Sequence, residues 1–174
     1  MRQGTLKISP NSVSLAGEFA VLSQLVLRGY DANMTLGHTK NVDILISNPE
    51  NGKMYKLEVK TNLRDSRKTP SVSKMFGSFE SDWIMHAKHE NVFEKNLFYC
   101  FVTIGKKEHL FRFFIVPSKI VAAYLRKEHR YWLKKTKKGK ETDMRLFRIG
   151  IRGEKYAIPT ATAERYEDNW SFKP

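Results

Sequence analysis

A chain of 174 residues, 41% hydrophobic and 12% aromatic, has enough apolar material for one folded domain, which excludes a disordered tail. Its 31 Lys and Arg outnumber 18 Asp and Glu, and the formal net charge of +13 favours a polyanionic partner, above all nucleic acid. An anionic membrane surface and ribosomal RNA are the alternatives that composition leaves open. The sequence contains neither a secretory signal nor an apolar run that could cross a bilayer, and the lone Cys100 excludes an internal disulfide framework. We therefore expect a cytoplasmic protein without a membrane partner.

Hydrophobic periodicity and turn residues predict an order of helices and strands. An apolar stripe at helical spacing, followed by Gly29, indicates the first helix; the stripe comprises Leu15, Phe19, Leu22 and Val26. Predicted helices cover 12–28, 82–95 and 118–135, predicted strands cover 30–36, 41–47, 54–61, 97–104, 110–116 and 145–152, and 64–81 is a predicted mobile loop. This order predicts an α/β fold, a mixed central sheet flanked by helices, in a single domain over 1–174.

The strands over 41–47 and 54–61 hold the residues that bear chemistry. The Asn51-Gly52 turn signal between them predicts an antiparallel hairpin. Side chains alternate along each strand, so Glu58 and Lys60 share one face, and any even-length turn brings Asp43 to that face. A turn centred between Glu50 and Asn51 sets Asp43 opposite Glu58, and a turn centred on Asn51-Gly52 sets it opposite Lys60. Both registers gather two carboxylates and an ammonium group.

Two neighbouring carboxylates repel each other unless a cation neutralises them. A hard divalent ion such as Mg²⁺, or Mn²⁺ in its place, would accept oxygen ligands from Asp43, Glu58 and the Val59 carbonyl, and Lys60 would position an attacking water or stabilise charge on a phosphate. The alternative is a solvated strand face with a surface ion pair worth roughly 0–1 kcal/mol. Asp43 lies in a strand that is otherwise Val, Ile and Leu, where a lone acid is costly, and this favours the functional interpretation.

The pattern of Asp43, fourteen intervening residues, and then Glu58-Val59-Lys60 resembles the signature of the PD-(D/E)XK nuclease superfamily. Val42 stands where the name-giving proline would be. The resemblance implies a restriction-endonuclease-like αβββαβ core over about 12–104, followed by a basic strand–helix–strand extension over 105–174. Many members carry an acid on the first helix that faces the site, and Glu18 matches that feature.

These expectations add up to a Mg²⁺-dependent endonuclease that acts on DNA, and double-strand cleavage with one site per chain favours a homodimer. The rival hypotheses are a non-catalytic nucleic-acid-binding module that keeps the nuclease fold, and a basic RNA-binding protein. His86 and His89, three residues apart, are an alternative metal pair that no further Cys or His pair completes.

Basic residues supply candidate contacts to the phosphate backbone. The segment 126–140 contains eight Lys and Arg and one acid, and its two aromatics, Tyr131 and Trp132, would either stack on bases or anchor a helix. The expected nucleic-acid-binding residues are His38, Lys40, Arg64, Arg67, Lys68, Lys74, Arg130, Lys134, Lys135, Lys137 and Lys138.

Overall fold

The computed structural model of the chain describes residues 8–35, 42–64, 71–136 and 140–173. Within these ranges the elements are, in order, α1 (Pro10–Leu27), β1 (Asp31–Met34), β2 (Ile44–Ser47), β3 (Met54–Arg64), β4 (Ser71–Ser73), β5 (Gly77–His86), a 3₁₀ turn (Ala87–Asn91), β6 (Leu97–Gly105), β7 (Phe111–Pro117), α2 (Ser118–Lys135), β8 (Met144–Gly150) and α3 (Ala163–Tyr166). No helix in the described ranges combines the length and the apolar character that crossing a bilayer requires.

The central sheet is mixed and has the strand order β1-β2-β3-β6-β7. Strands β3 and β6 run parallel, and the other neighbouring pairs are antiparallel. A parallel pair needs a long crossover connection, and here it passes through β4, β5 and the 3₁₀ turn. Strands β4 and β5 pair with β8 in a second, antiparallel sheet. The predicted α/β class, with a mixed sheet flanked by helices, is confirmed.

Strand β6, which neighbours the central strand β3, contributes side chains to two apolar cores. Phe98, Cys100 and Val102 face the core that α1 covers, whereas Tyr99 and Phe101 face the core beneath the second sheet and α2. Because both faces of this strand are covered, its sequence is apolar without alternation. Cys100 is fully buried, as expected for a packing residue.

Helix α1 packs on the sheet with a different face from the one that carries the predicted stripe. It begins at the N-cap Ser9, and its buried side is formed by Gly17, Val21 and Leu25. Three residues of the stripe, Leu15, Phe19 and Val26, are instead exposed to solvent. The helix is therefore apolar on both sides, so periodicity alone did not identify the face that packs.

The prediction of a helix over 82–95 is wrong, and so is that of a loop over the described part of 64–81. Strand β3 continues to Arg64, and the region from Gly77 to His86 is strand β5, followed by the 3₁₀ turn. The inward side chains of β5 alternate with outward ones, as a half-buried strand requires; they are Phe79, Ser81, Trp83 and Met85. One of these inward residues, Ser81, is polar and has an acid on each side. The alternation of apolar and polar residues that predicts a strand was therefore not visible in the sequence.

Candidate functional site

Asp43 lies directly before β2, and backbone bonds on both sides hold it in place. Its N–H donates to the Leu57 carbonyl at 2.8 Å, and its carbonyl accepts from the Thr35 N–H at 2.9 Å. Its side chain turns towards β3, where Oδ2 accepts from the Val59 N–H at 2.7 Å. The N–H and C=O of a strand residue point to the same edge, so the Val59 carbonyl shares this edge with the Asp43 carboxylate.

The hairpin register decides between the two arrangements that the sequence left open. Ile44 pairs with Leu57 and Ser47 with Met54, so the turn is centred between Glu50 and Asn51. The turn centre is therefore that of the first predicted arrangement. Asp43 itself precedes the paired residues and lies beside β3, where its N–H bonds to the Leu57 carbonyl and its carboxylate accepts from the Val59 N–H.

Glu58 and Lys60 lie on one face of β3 and form a close ion pair. Lys60 Nζ is 2.6 Å from Glu58 Oε1. Glu58 is only 4% exposed, and its second oxygen, Oε2, is buried and accepts no hydrogen bond from the described residues. A buried carboxylate oxygen without a donor is costly in free energy, so Oε2 has the character of an atom that a cation or a ligand would stabilise.

Glu18 reaches the same site from α1 because the helix lies very close to β3. Gly17 permits this approach, since a Cβ at that position would stand 1.9 Å from Thr61 Oγ1. The Ser14 hydroxyl donates to Glu18 Oε1 at 3.2 Å. Burial raises the pKa of Glu18, and the negative charge of Asp43 raises it further, while Ser14 and Lys60 act in the opposite direction. The acid that the resemblance suggested therefore lies within electrostatic reach of Asp43.

The pKa of Asp43 shows how the acids affect each other. Burial is the main cause that raises this pKa, and the charge of Glu58 adds to it. The hydrogen bond from Val59 and the charge of Lys60 lower it, but they do not offset the burial. Removing water and grouping like charges both disfavour the ionised form, so a bound cation would restore it.

The donor set suits a magnesium ion better than a softer metal. Within the described ranges no group of three or more His, Cys, Asp or Glu residues is arranged to hold a metal. Mg²⁺, however, is commonly bound through one or two carboxylates and completes its octahedron with water. The site offers two carboxylates, from Asp43 and Glu58, and one carbonyl oxygen, from Val59. Glu58 Oε2, which has no hydrogen bond within the described part of the chain, could serve as one of the metal ligands.

His89 and Tyr99 form a buried pair beside Glu58 that the sequence did not reveal. His89 Nδ1 and the Tyr99 hydroxyl are 2.8 Å apart, and His89 Nδ1 lies 3.8 Å from Glu58 Oε2. Burial lowers the pKa of His89 to about 4, with a further contribution from Lys60, so the ring is neutral at pH 7. Burial, the Glu58 charge and the closeness of the Tyr99 hydroxyl to the Glu58 carboxylate raise the pKa of Tyr99, although Oε2 itself has no hydrogen bond of good geometry from the described residues. The one available signal was Tyr99 itself, a polar tip within the apolar β6 run.

The alternative of a zinc pair has no support in this geometry. His86 is the exposed N-cap of the 3₁₀ turn, and its Nδ1 accepts from the Lys88 N–H at 3.1 Å. His89 is buried and bonded to Tyr99. The two imidazoles therefore have separate structural partners.

An open cleft of about 520 Å³ begins at Lys60 and runs along the end of the second sheet. Its lining combines cationic, imidazole and apolar side chains: Lys60, Ile84, Met85, His86, Lys88, His89, Asp143 and Met144. Lys60 thus contacts Glu58 on one side and borders an accessible groove on the other. Neither Asp43 nor Glu58 is among the residues that line this cleft, so Lys60 is the point at which it meets the candidate site.

The predicted nucleic-acid-binding residues fall into three groups. Lys74, Arg130, Lys134 and Lys135 are exposed. Arg64, at the end of β3, forms an ion pair with Asp82 and donates to Ser71 Oγ at 3.3 Å. The others lie outside the described residues: His38, Lys40, Arg67, Lys68, Lys137 and Lys138.

The two aromatics of the basic segment, Tyr131 and Trp132, pack against the core that α2 covers. Tyr131 contacts Phe76 at 5.6 Å between ring centroids, and Trp132 stacks on His129 at 5.8 Å. The one acid of the segment, Glu128, is buried and pairs with Arg148 at 2.7 Å. The exposed face of this helix end therefore presents cations.

Comparisons with known proteins agree with this architecture at the level of the fold. No protein-family model matches the chain, and no curated protein matches its sequence. Among solved structures, the fold is similar to that of a bacterial homing endonuclease, I-Ssp6803I, with a TM-score of 0.52 over 95% of this chain and 91% of that one. The identity is 13%, so the likeness concerns the fold.

Proposed function

We propose that this protein is a metal-dependent endonuclease of the PD-(D/E)XK type that hydrolyses phosphodiester bonds in DNA. The observation that carries the proposal is the convergence of Asp43, Glu58 and Lys60 beside a buried, unpartnered carboxylate oxygen. The order of these residues resembles the superfamily signature. The similarity of fold to a bacterial homing endonuclease and the net charge of +13 support the same function.

The chain divides the chemistry among a few residues. Asp43, Glu58 and the Val59 carbonyl would hold Mg²⁺, with Mn²⁺ as a substitute. When bound, the ion lowers the pKa of a coordinated water and stabilises charge on the phosphate. Lys60, which borders the cleft, orients the attacking water or neutralises the developing phosphate charge. Glu18 supports the site from α1 by accepting hydrogen bonds from water.

The cleft beside Lys60 is the proposed path of the scissile strand. Exposed cations at the β4–β5 turn and at the end of α2 are the proposed contacts to the phosphates of the duplex; they are Lys74, Arg130, Lys134 and Lys135. Contacts of this kind bind through counterion release, so they fix affinity without reading sequence.

The decisive test is cleavage of supercoiled plasmid and of structured RNA with Mg²⁺ or EDTA. We expect the wild type to nick or linearise the plasmid with Mg²⁺ and not with EDTA. Lys60→Ala and Asp43→Asn should each lower the cleavage rate by at least about a hundredfold, the effect of removing one group that stabilises transition-state charge.

Lys56→Ala is the matched control. Lys56 lies on the same strand face four residues from Lys60, but its partner is the exposed Glu94. The Lys56→Ala variant should therefore cleave the plasmid at the wild-type rate. Plasmid binding without cutting under any metal condition would favour the non-catalytic module, and preferential RNA binding without cleavage would favour the RNA-binding protein.

A further inference from the structure

The exposed side of α1 carries an apolar stripe that the fold leaves uncovered. Its members, Leu15, Phe19, Leu22 and Val26, recur every three to four residues and so lie on one side of the helix. Phe19 is 54% exposed, Val26 56% and Leu15 48%, whereas Leu22 is half-buried. Leu27, at 76% exposure, directly follows Val26 and so points about 100° away from the stripe round the helix. Contiguous exposed apolar surface of this kind marks an interaction site more often than single exposed residues do.

The charge of α1 sets it apart from the rest of the surface. Its 18 residues contain one charged side chain, Glu18, and no Lys or Arg. The whole chain carries +13. A phosphate backbone gains nothing from a neutral stripe, because its affinity comes from cations. Two copies of this protein, in contrast, repel each other over most of their surface and meet without repulsion where both present α1.

We propose that the α1 stripe is the surface through which two copies of this chain pair about a twofold axis. In such a pair the same patch faces itself, so a single stripe covers both copies. The helix is about 27 Å long, enough for an antiparallel helix pair with side chains interdigitated over several turns.

The area of the stripe is sufficient for a weak dimer. The exposed fractions of Leu15, Phe19 and Val26, with the half-buried Leu22, correspond to roughly 300 Å² of apolar surface per copy, at the lower end of the range of patches that are often functional. Homodimer interfaces are about 65% apolar, so the complete interface would cover roughly 450 Å² per copy. The total of about 900 Å² is below the range of stable, specific complexes, which predicts a weak dimer that dissociates on dilution.

Pairing also bears on the candidate site. Glu18 lies three residues after Leu15 and four before Leu22, so it borders the stripe while its charge acts on Asp43. A second copy on the stripe would therefore cover one side of Glu18 and hold α1 against β3. Two paired sites would also suit the two strands of a DNA duplex, and this use of the pair rests on the proposed function.

Sedimentation equilibrium over a wide dilution series tests the pairing directly. We expect the wild type to reach twice its chain mass of 20.3 kDa and to dissociate on dilution. Phe19→Glu and Val26→Lys should each weaken the dimer by about thirtyfold or more, the effect of truncating a central interface residue. Leu110→Glu is the control, because Leu110 is 68% exposed but lies outside α1.

A wild type that stays at the monomer mass, or a Phe19→Glu variant that dimerises like the wild type while Leu110→Glu does not, would overturn the pairing. Monomeric wild type that sediments with anionic vesicles, and loses this with Phe19→Glu, would assign the stripe to a lipid surface instead. Sedimentation measures the association of the chains and does not depend on cleavage. A dimer that does not cut refutes the proposed function alone, and a monomer that cuts refutes the pairing alone.

Discussion

Gly17→Ala should destabilise the protein although the residue lies within a helix. An alanine Cβ would be 1.9 Å from Thr61 Oγ1 and 2.8 Å from Thr61 Cγ2. Rotating the threonine does not remove the overlap, because its Cβ would still be at 2.9 Å. Carbon atoms in good contact are about 3.5–4.0 Å apart, so α1 would have to move away from β3.

The two opposing effects have different sizes. Replacing glycine by alanine within a helix stabilises it by about 1 kcal/mol. Forcing extra volume into a packed interface costs about 1–3 kcal/mol, and a contact this short belongs at the upper end. The net expectation is a loss of about 1–2 kcal/mol in the free energy of unfolding, with Glu18 displaced from Asp43.

Urea unfolding followed by circular dichroism measures the change. Ser23→Ala, at an exposed position of the same helix, is the control and should stay within about 0.5 kcal/mol of the wild type. The double variant Gly17→Ala/Thr61→Ala removes Oγ1 and Cγ2 and should regain at least half of the loss. Thr61 Oγ1 makes no hydrogen bond to the described residues, so removing it costs little. A Gly17→Ala protein as stable as the wild type would show that the close approach of α1 to β3 is not required.

Three further predictions follow from buried charges. Burial lowers the pKa of His89 from 6.5 to about 4, so between these pH values the unfolded chain binds a proton that the folded protein does not. The free energy of unfolding should therefore fall by up to about 3 kcal/mol from pH 6.5 to pH 4. Urea titrations at several pH values should show that His89→Gln lacks this part of the pH dependence. In EDTA, the Tm of Asp43→Asn should match or exceed that of the wild type, because the substitution removes a carboxylate that repels its neighbours. Mg²⁺ should raise the Tm of the wild type alone. An equal rise in both proteins would contradict the metal site. Arg148→Met leaves Glu128 buried without its cation and should cost about 3–5 kcal/mol in urea unfolding, most of it recovered in Arg148→Met/Glu128→Leu.

Local signals explain what the sequence predicted well. The Asn-Gly signal in the loop over 48–53 and the alternation on either side predict the hairpin, although the turn is centred one residue before Asn51-Gly52. The hairpin brings Asp43 to where the charges of Glu58 and Lys60 act on it. These residues are close in sequence, so no distant contact is needed to place them. Glu18 is different: its position depends on how closely α1 packs against β3, and the resemblance suggested it where periodicity could not.

Distant partners explain what the sequence missed. Strand β5 is fixed by β8, where Trp83 pairs with Phe147, and no local pattern shows that a strand so far along the chain will be its neighbour. His89 likewise acquires its role from Tyr99 on β6. On α1 both faces are apolar, so hydrophobicity alone does not select the packing face, and Gly17 permits the close approach of the face that buries Val21 and Leu25.

The candidate site has a net negative charge, whereas the whole chain has a net positive charge. Among the described residues, three acids and one lysine meet around Asp43; they are Glu18, Asp43, Glu58 and Lys60. When all are ionised, their sum is −2, within a protein of net charge +13. The surrounding positive surface attracts a polyanion, but the acids themselves would repel its phosphates. A divalent cation would cancel that repulsion. The acids that would hold the proposed ion therefore also make phosphate binding at Lys60 depend on the presence of the ion. We therefore expect DNA at this site to bind more tightly with Ca²⁺, which supports binding without requiring cleavage, than with EDTA, and Asp43→Asn to bind equally well in both.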